Sequence, residues 1–363
     1  MLESYGYAAT KLNTKLRPVH FEREGLRPHD IAITIQYCGV CHSDLHQVKN
    51  DWGNTVYPCL PGHEIVGLVD DFGVDVKGFQ RGELVGVGCM IGSCGNCVSC
   101  KEGLEQYCEK GFLGTYNGPL EPDGTNTFGG YSNNIVVSDH FVLKIPEGLE
   151  PEFVGPILCA GVTTYSPLKN WGVSEGDMVA VVGFGGLGHM ATQIARAMGA
   201  EVTVISTTKD KEDDALKLGA DAFVLSTKKK EMDELKGQFD LIINTIPDKH
   251  EVDPYLELLA RDGSMVMVGV LVPEPGWNQQ PMIMKRRSIA GSLIGSIEET
   301  QEVLDFCAQH DIRPKIEIVD IQDINSVFER MEKKEIHYRA VIDMKTLEHE
   351  IKFGQKDLGI IGH

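Results

Sequence analysis

From about residue 176 onward, unbroken apolar runs alternate with amphipathic stretches in the rhythm of β-α-β units. Met178–Val182 is an apolar run of strand length, and His189–Met198 carries its apolar residues at helical spacing. Glu201–Ser206 predicts the next strand, and Asp221–Leu225, Asp240–Ile243 and Ser264–Val268 predict more, with a helix over Asp253–Ala260. Strands alternating with helices predict a doubly wound parallel sheet. The stretch 178–195 is apolar enough overall to resemble a membrane span. Its centre, Gly183 to His189, is glycine-rich, so strand, turn and helix explain it better.

Composition bounds the reading. A chain of 363 residues, 42% hydrophobic and 24% charged, has material for about two packed domains and is not a disordered chain. Gly is 40 of 363, above the usual share of about 7%, which favours many tight turns. With Lys+Arg 34 against Asp+Glu 53, the net charge of −19 repels phosphate backbones and anionic lipid. The basic clusters 228–230, 285–287 and 333–334 are short, scattered and read as solvated faces. Nucleic acid and membranes are therefore not expected partners. The N-terminal residues have neither a basic start nor an apolar stretch, so a soluble, cytoplasmic protein is expected.

Four of the ten cysteines fall in one segment, Cys94-x2-Cys97-x2-Cys100-x7-Cys108. Disulfides are an improbable use without a secretory signal. Four thiolates at these spacings suit a tetrahedral zinc with no open position, and hence a structural one. Cys41, His63 and Cys159 supply a second, dispersed set, which can hold a zinc by three ligands and leave a fourth position open. Singly each has a plainer explanation, since buried cysteines and structural histidines are common. Cys38, Cys59, Cys89 and Cys307 read as small buried apolar residues.

The run Gly183-Phe184-Gly185-Gly186-Leu187-Gly188 matches G-x-G-x-x-G. Between a strand and a helix it is a strong dinucleotide signal. Gly183 permits the turn, Gly185 admits the pyrophosphate, and Gly188 allows close packing of helix on strand. The tip of the second strand decides the cofactor. It reads Ser206-Thr207-Thr208-Lys209-Asp210-Lys211, with no carboxylate where an NAD site places one for the ribose hydroxyls. Hydroxyls and an ammonium suit a 2′-phosphate, so NADP(H) is favoured.

Gly-Val-Cys41-His-Ser43-Asp, then Pro-Gly-His63-Glu64, the four-cysteine lobe and the later glycine motif together resemble zinc-dependent medium-chain alcohol dehydrogenases. Asp51–Asn54, Gly291–Ser296 and Phe328–Lys333 are similar to the cinnamyl alcohol dehydrogenase branch, which includes NADPH-dependent aldehyde reductases. The resemblance implies a β-rich GroES-like catalytic domain over 1–155 with a structural zinc lobe at about 92–110. A Rossmann domain over 156–295 and a return to the catalytic domain over 296–363 complete it, with an active-site cleft between the domains and a homodimer. It implies Cys41, His63 and Cys159 on a catalytic zinc, with Glu64 behind or transiently on it. Ser43 and His46 match the family's proton relay, which runs through the cofactor ribose. Thr163, Gly183, Gly185, Gly186, Leu187, Gly188, Ser206, Thr207 and Lys211 match cofactor-binding positions.

The implied reaction interconverts aldehydes and primary alcohols by hydride transfer. Zinc polarises the carbonyl, and the nicotinamide is held against it. Trp52, Leu113, Tyr116, Leu271 and Leu293 are candidate pocket walls that suit aromatic, cinnamyl-type or medium-chain aldehydes. The segment 110–131 departs from the plant pattern, which argues against a lignin-pathway substrate. The tail after Met344 has no functional reading. Three alternatives stand beside this one: an NAD-dependent polyol or primary-alcohol dehydrogenase, a C=C or C=N reductase, and a non-catalytic structural or regulatory protein on the same scaffold. Retention of Ser43, His46 and Glu64 argues against the second, and the complete ligand and relay sets argue against the third.

Overall fold

Six parallel strands form one sheet in the spatial order Ala222–Leu225, Glu201–Ser206, Met178–Val182, Phe239–Asn244, Leu259–Met267 and Ser288–Gly291. This is the order 3-2-1-4-5-6, and the point where it reverses lies between Met178–Val182 and Phe239–Asn244. Ligands bind at the carboxyl ends of strands at such a point, and the glycine motif begins there, directly after Val182. Ala180, Val182, Ile205, Phe239, Ile242 and Met265 fill the core around the sheet. The apolar stretch 178–195 resolves into a strand and the helix Gly188–Ala197. No helix among the described residues is long and apolar enough to cross a membrane.

The computed structural model describes residues 1–118, 126–269, 276, 278–347 and 359–361. Leu271 and most of the tail after Met344 lie outside them. The chain divides into two compact units. One comprises Met1–Cys159, Ser296–Ala308 and Arg313–His363; the other comprises Ala160–Gly295 and Gln309–Ile312. The parallel sheet belongs to the second unit. The first is built on a mixed sheet ordered Ile316–Asp320, Arg339–Asp343, Asp30–Val40, Ile65–Phe72, Leu84–Val87 and Leu143–Lys144, with Asn134–Ser138 also on Asp30–Val40. Gly359–Ile360 adds a strand beside Arg17–Arg23.

One element differs from the sequence expectation. The helix expected over 253–260 stops at Leu256, and the strand expected from 264 begins at Leu259. Arg287 explains the early stop. Its guanidinium donates to the carbonyls of Leu259 (2.8 Å) and Glu257 (3.0 Å), taking both out of a helical ladder. Leu259 is fully buried and pairs with Phe239 before the register shifts.

Candidate active site and metal centres

The strand Asp30–Val40 runs directly into the helix His42–Lys49, with Cys41 as the helix N-cap. Asp44 fixes this corner by accepting the Cys41 N–H at 2.9 Å, which satisfies a donor the helix start would otherwise leave open. Ser43 and His46 then ride on the first turns of that helix. His63 follows a turn at Gly62, whose φ of 105° favours glycine. Cys159 lies in a π-helical turn, Ile157–Gly161, a form that often marks functional positions.

The ligating atoms of Cys41, His63, Glu64 and Cys159 all lie within 4.8 Å of one another. Cys41 Sγ is 4.0 Å from Cys159 Sγ, and His63 Nε2 is 3.3 Å from Cys159 Sγ. Tetrahedral zinc with bonds of about 2.3 Å to sulfur holds two sulfurs about 3.8 Å apart, so these spacings fit it. The Asp44 carboxylate fixes the imidazole through Nδ1, 3.1 Å from Oδ1, leaving Nε2 toward the cluster. The chemistry of the donors agrees. Contact with Cys159 holds the Cys41 thiol well below its ordinary range, against the effect of burial and with help from His63, while the same contact raises the Cys159 thiol, so the unliganded pair shares its charge on Cys41.

Glu64 is fully buried, and its Oε1 is 4.0 Å from His63 Nε2. Its Oε2 has no hydrogen-bond partner among the described residues, an orphaned buried oxygen that suits a nearby cation. Burial raises its carboxyl to about 7 despite an ion pair with Arg339. Gly39 makes room for this side chain, since a Cβ there would stand 1.9 Å from Glu64 Oε2.

The four-cysteine segment also closes on itself. Cys94 Sγ lies 3.9 Å from Cys100 Sγ, and Cys108 Sγ accepts the Cys94 N–H at 3.4 Å. Cys97 Sγ accepts from the N–H groups of Cys100 and Glu109, both at 3.5 Å. The N–H groups of Asn96 and Cys97 lower the Cys94 thiol to about 6. Amides aimed at sulfur favour thiolate, the form that binds zinc. With all four ligand positions filled by protein, the set matches a structural zinc.

Ser43 Oγ stands 3.6 Å from Cys41 Sγ, beside the cluster. His46 Nδ1 lies 2.8 Å from Asp51 Oδ2, and its ring faces Trp52 at 5.7 Å between centroids. Tyr116 lies 5.6 Å from the His63 ring. Leu113 is half-buried on the short strand Leu113–Gly114, while Trp52 and Leu293 are 39% and 41% exposed.

In the second unit, Gly183 has φ of 89°, and a Cβ at Gly188 would stand 2.0 Å from the Gly183 carbonyl oxygen. A Cβ at Gly185 would meet nothing within 4 Å. That leaves an open approach over the turn formed by Gly183, Gly185, Gly186, Leu187 and Gly188, as a bound pyrophosphate requires. Thr163 is buried in the helix Val162–Asn170, which packs on the helix Gly188–Ala197. Ser206 is buried at the strand tip, where its carbonyl accepts the Ser226 N–H at 2.9 Å. Thr207 is exposed and Lys211 half-exposed just beyond it.

Asp44, Asp51 and Arg339 are among the residues at these sites that escaped the sequence reading. Asp44 had a local signal, a carboxylate at the third helical position after Cys41. Asp51 had a weaker one, five residues past His46. Arg339 had none.

Residues 27–147 match the alcohol dehydrogenase GroES-like domain, and residues 186–309 match the zinc-binding dehydrogenase domain. An aldehyde reductase of Escherichia coli is 48% identical over 334 residues, covering 92% of this chain and 95% of its own. A cinnamyl alcohol dehydrogenase structure from Sorghum bicolor superposes with a TM-score of 0.91 at 41% identity, covering 94% of this chain and 98% of that one. A Helicobacter pylori cinnamyl alcohol dehydrogenase, solved with NADP(H), gives 0.89 at 40% identity, covering 95% and 99%. The parallel-sheet unit, the GroES-like domain and these relatives together make the chain a member of the zinc-dependent medium-chain alcohol dehydrogenases, in their cinnamyl alcohol dehydrogenase branch.

Proposed function

We propose that the chain is a zinc- and NADP(H)-dependent alcohol dehydrogenase that reduces aromatic, cinnamyl-type, or medium-chain aldehydes to primary alcohols, and runs in reverse. The observation that carries this is the buried Cys41–His63–Cys159 cluster with the Ser43 hydroxyl beside it. When bound, zinc polarises the aldehyde oxygen as a Lewis acid and NADPH supplies the hydride. Cys41, His63 and Cys159 hold the metal, and Glu64 lies behind it. Cys94, Cys97, Cys100 and Cys108 hold the second, structural zinc.

The remaining work belongs to side chains of the relay. Ser43 gives its proton to the substrate oxygen as the carbonyl is reduced. His46, with its ring held by Asp51 at Nδ1 and half open to solvent, returns a proton from bulk water. Ser206, Thr207 and Lys211 recognise the 2′-phosphate, since no carboxylate stands where an NAD site places one for the ribose hydroxyls. Trp52, Leu113 and Tyr116 give the substrate an apolar and aromatic surround.

The same reading makes the protein a cytoplasmic homodimer. Among the described residues Ser288–Gly291 is an edge strand of the parallel sheet, and Ile283 and Met284 beside it are 76% and 72% exposed. Unpaired edges next to exposed apolar side chains suit pairing with a second copy. Metal analysis tests the centre of the proposal. Purified protein is expected to carry two zinc ions per chain and Cys159→Ser one. One zinc in both would refute the catalytic site.

A further inference from the structure

The Asp44 carboxylate is fully buried and is approached by donors from every side. Oδ1 accepts from the Gly62 N–H at 3.0 Å and His63 Nδ1 at 3.1 Å. Oδ2 accepts from the Cys41 N–H at 2.9 Å and the Tyr131 hydroxyl at 3.3 Å. The Tyr116 phenol, raised by burial, lies close enough to the same carboxylate for that charge to raise it further. An ionised carboxylate has about four lone-pair sites, so the donors from Gly62, His63, Cys41 and Tyr131 fill it.

The two tyrosines do more than fill space. Tyr131 is fully buried and tied to the turn that carries His63. The N–H groups of Gly129, Gly130 and Tyr131 donate to the carbonyls of Leu60, Gly62 and Pro61 at 2.8, 2.9 and 3.0 Å. A Cβ at Gly62 would stand 2.7 Å from the Tyr131 ring. The Tyr116 ring stands beside the imidazole itself, 5.6 Å away between centroids. Burial and the Asp44 charge push both phenols well above their ordinary range, so both remain protonated donors at neutral pH.

We propose that Tyr131 and Tyr116 are positioning residues that fix Asp44, and through it the His63 imidazole, so that this phenol pair sets how long the catalytic metal stays bound. The inference rests on Cys41, His63 and Cys159 being the ligands of that metal. Groups that orient a ligating imidazole usually govern affinity without touching the metal. Loss of the Tyr131 phenol leaves the carboxylate under-satisfied, and loss of the Tyr116 phenol removes the dipole beside carboxylate and imidazole; either leaves the ring freer to turn away.

Zinc release separates this from a purely structural role. Zinc-loaded full-length protein is mixed with excess chromogenic chelator, and release is followed by absorbance. Wild type should release its two zinc ions in two phases, and Cys159→Ser should show only the structural one. Tyr131→Phe and Tyr116→Phe should each speed the catalytic phase about tenfold, with the structural phase unchanged. Wild-type release in both variants, or equal acceleration of both phases, would overturn the proposal. A single zinc in wild type would instead defeat the ligand assignment beneath it.

Discussion

Arg339 and Glu64 form an ion pair across 275 residues of sequence, with side chains only 4% and 0% exposed. The pair places a permanent cation behind the Cys41–His63–Cys159 cluster, where it offsets the charge of Glu64 and acts at longer range on the sulfurs of Cys41 and Cys159.

Removing only one member leaves the other buried and uncompensated. Arg339→Leu is expected to cost about 3–5 kcal/mol of stability in chemical denaturation. Arg339→Leu combined with Glu64→Gln should recover a substantial part of that loss. A single variant as stable as wild type would show that the pair contributes nothing net to the fold.

Ser43→Ala removes the hydroxyl beside the cluster and nothing that binds metal. Turnover should fall by about 10²–10⁴-fold while zinc content stays at the wild-type value. Unchanged turnover would take Ser43 out of the mechanism.

Asp51 acts one step further out, by holding the His46 ring at 2.8 Å. Asp51→Asn should lower turnover by less than Ser43→Ala, and combining Asp51→Asn with His46→Ala should add little to His46→Ala alone. Fully additive losses in that cycle would mean that Asp51 does not work through His46.

The Gly183–Gly188 contact leaves no room for a methyl group. Gly188→Ala places a Cβ 2.0 Å from the Gly183 carbonyl oxygen. The turn must shift, at a cost of about 1–3 kcal/mol. NADPH binding, read by fluorescence titration, should weaken with it. An unaltered dissociation constant would show that the turn does not carry the cofactor.

What could be read from the sequence follows the range of the interactions. The Cys94–Cys108 lobe and the glycine motif are short, and local spacing carried their geometry. The parallel sheet followed from alternating patterns, because parallel strands need crossovers of helical length. Cys41, His63 and Cys159 are far apart along the chain, and only resemblance joined them before the structure placed their ligating atoms together. Arg339 and Tyr131 were illegible for the same reason: nothing in the pattern of the strand that holds Arg339 or the loop that holds Tyr131 says that its charge or phenol faces a cluster built elsewhere. The helix ending at Leu256 was misjudged because the group that ends it, Arg287, arrives from about 30 residues downstream.

The most direct measurement is the initial rate of cinnamaldehyde reduction by the purified protein, with NADPH and NADH compared at equal concentration. A strong preference for NADPH, lost in Lys211→Ala while the NADH rate is unchanged, is the predicted result. A preference for NADH, or an NADPH rate indifferent to Lys211, would contradict the account.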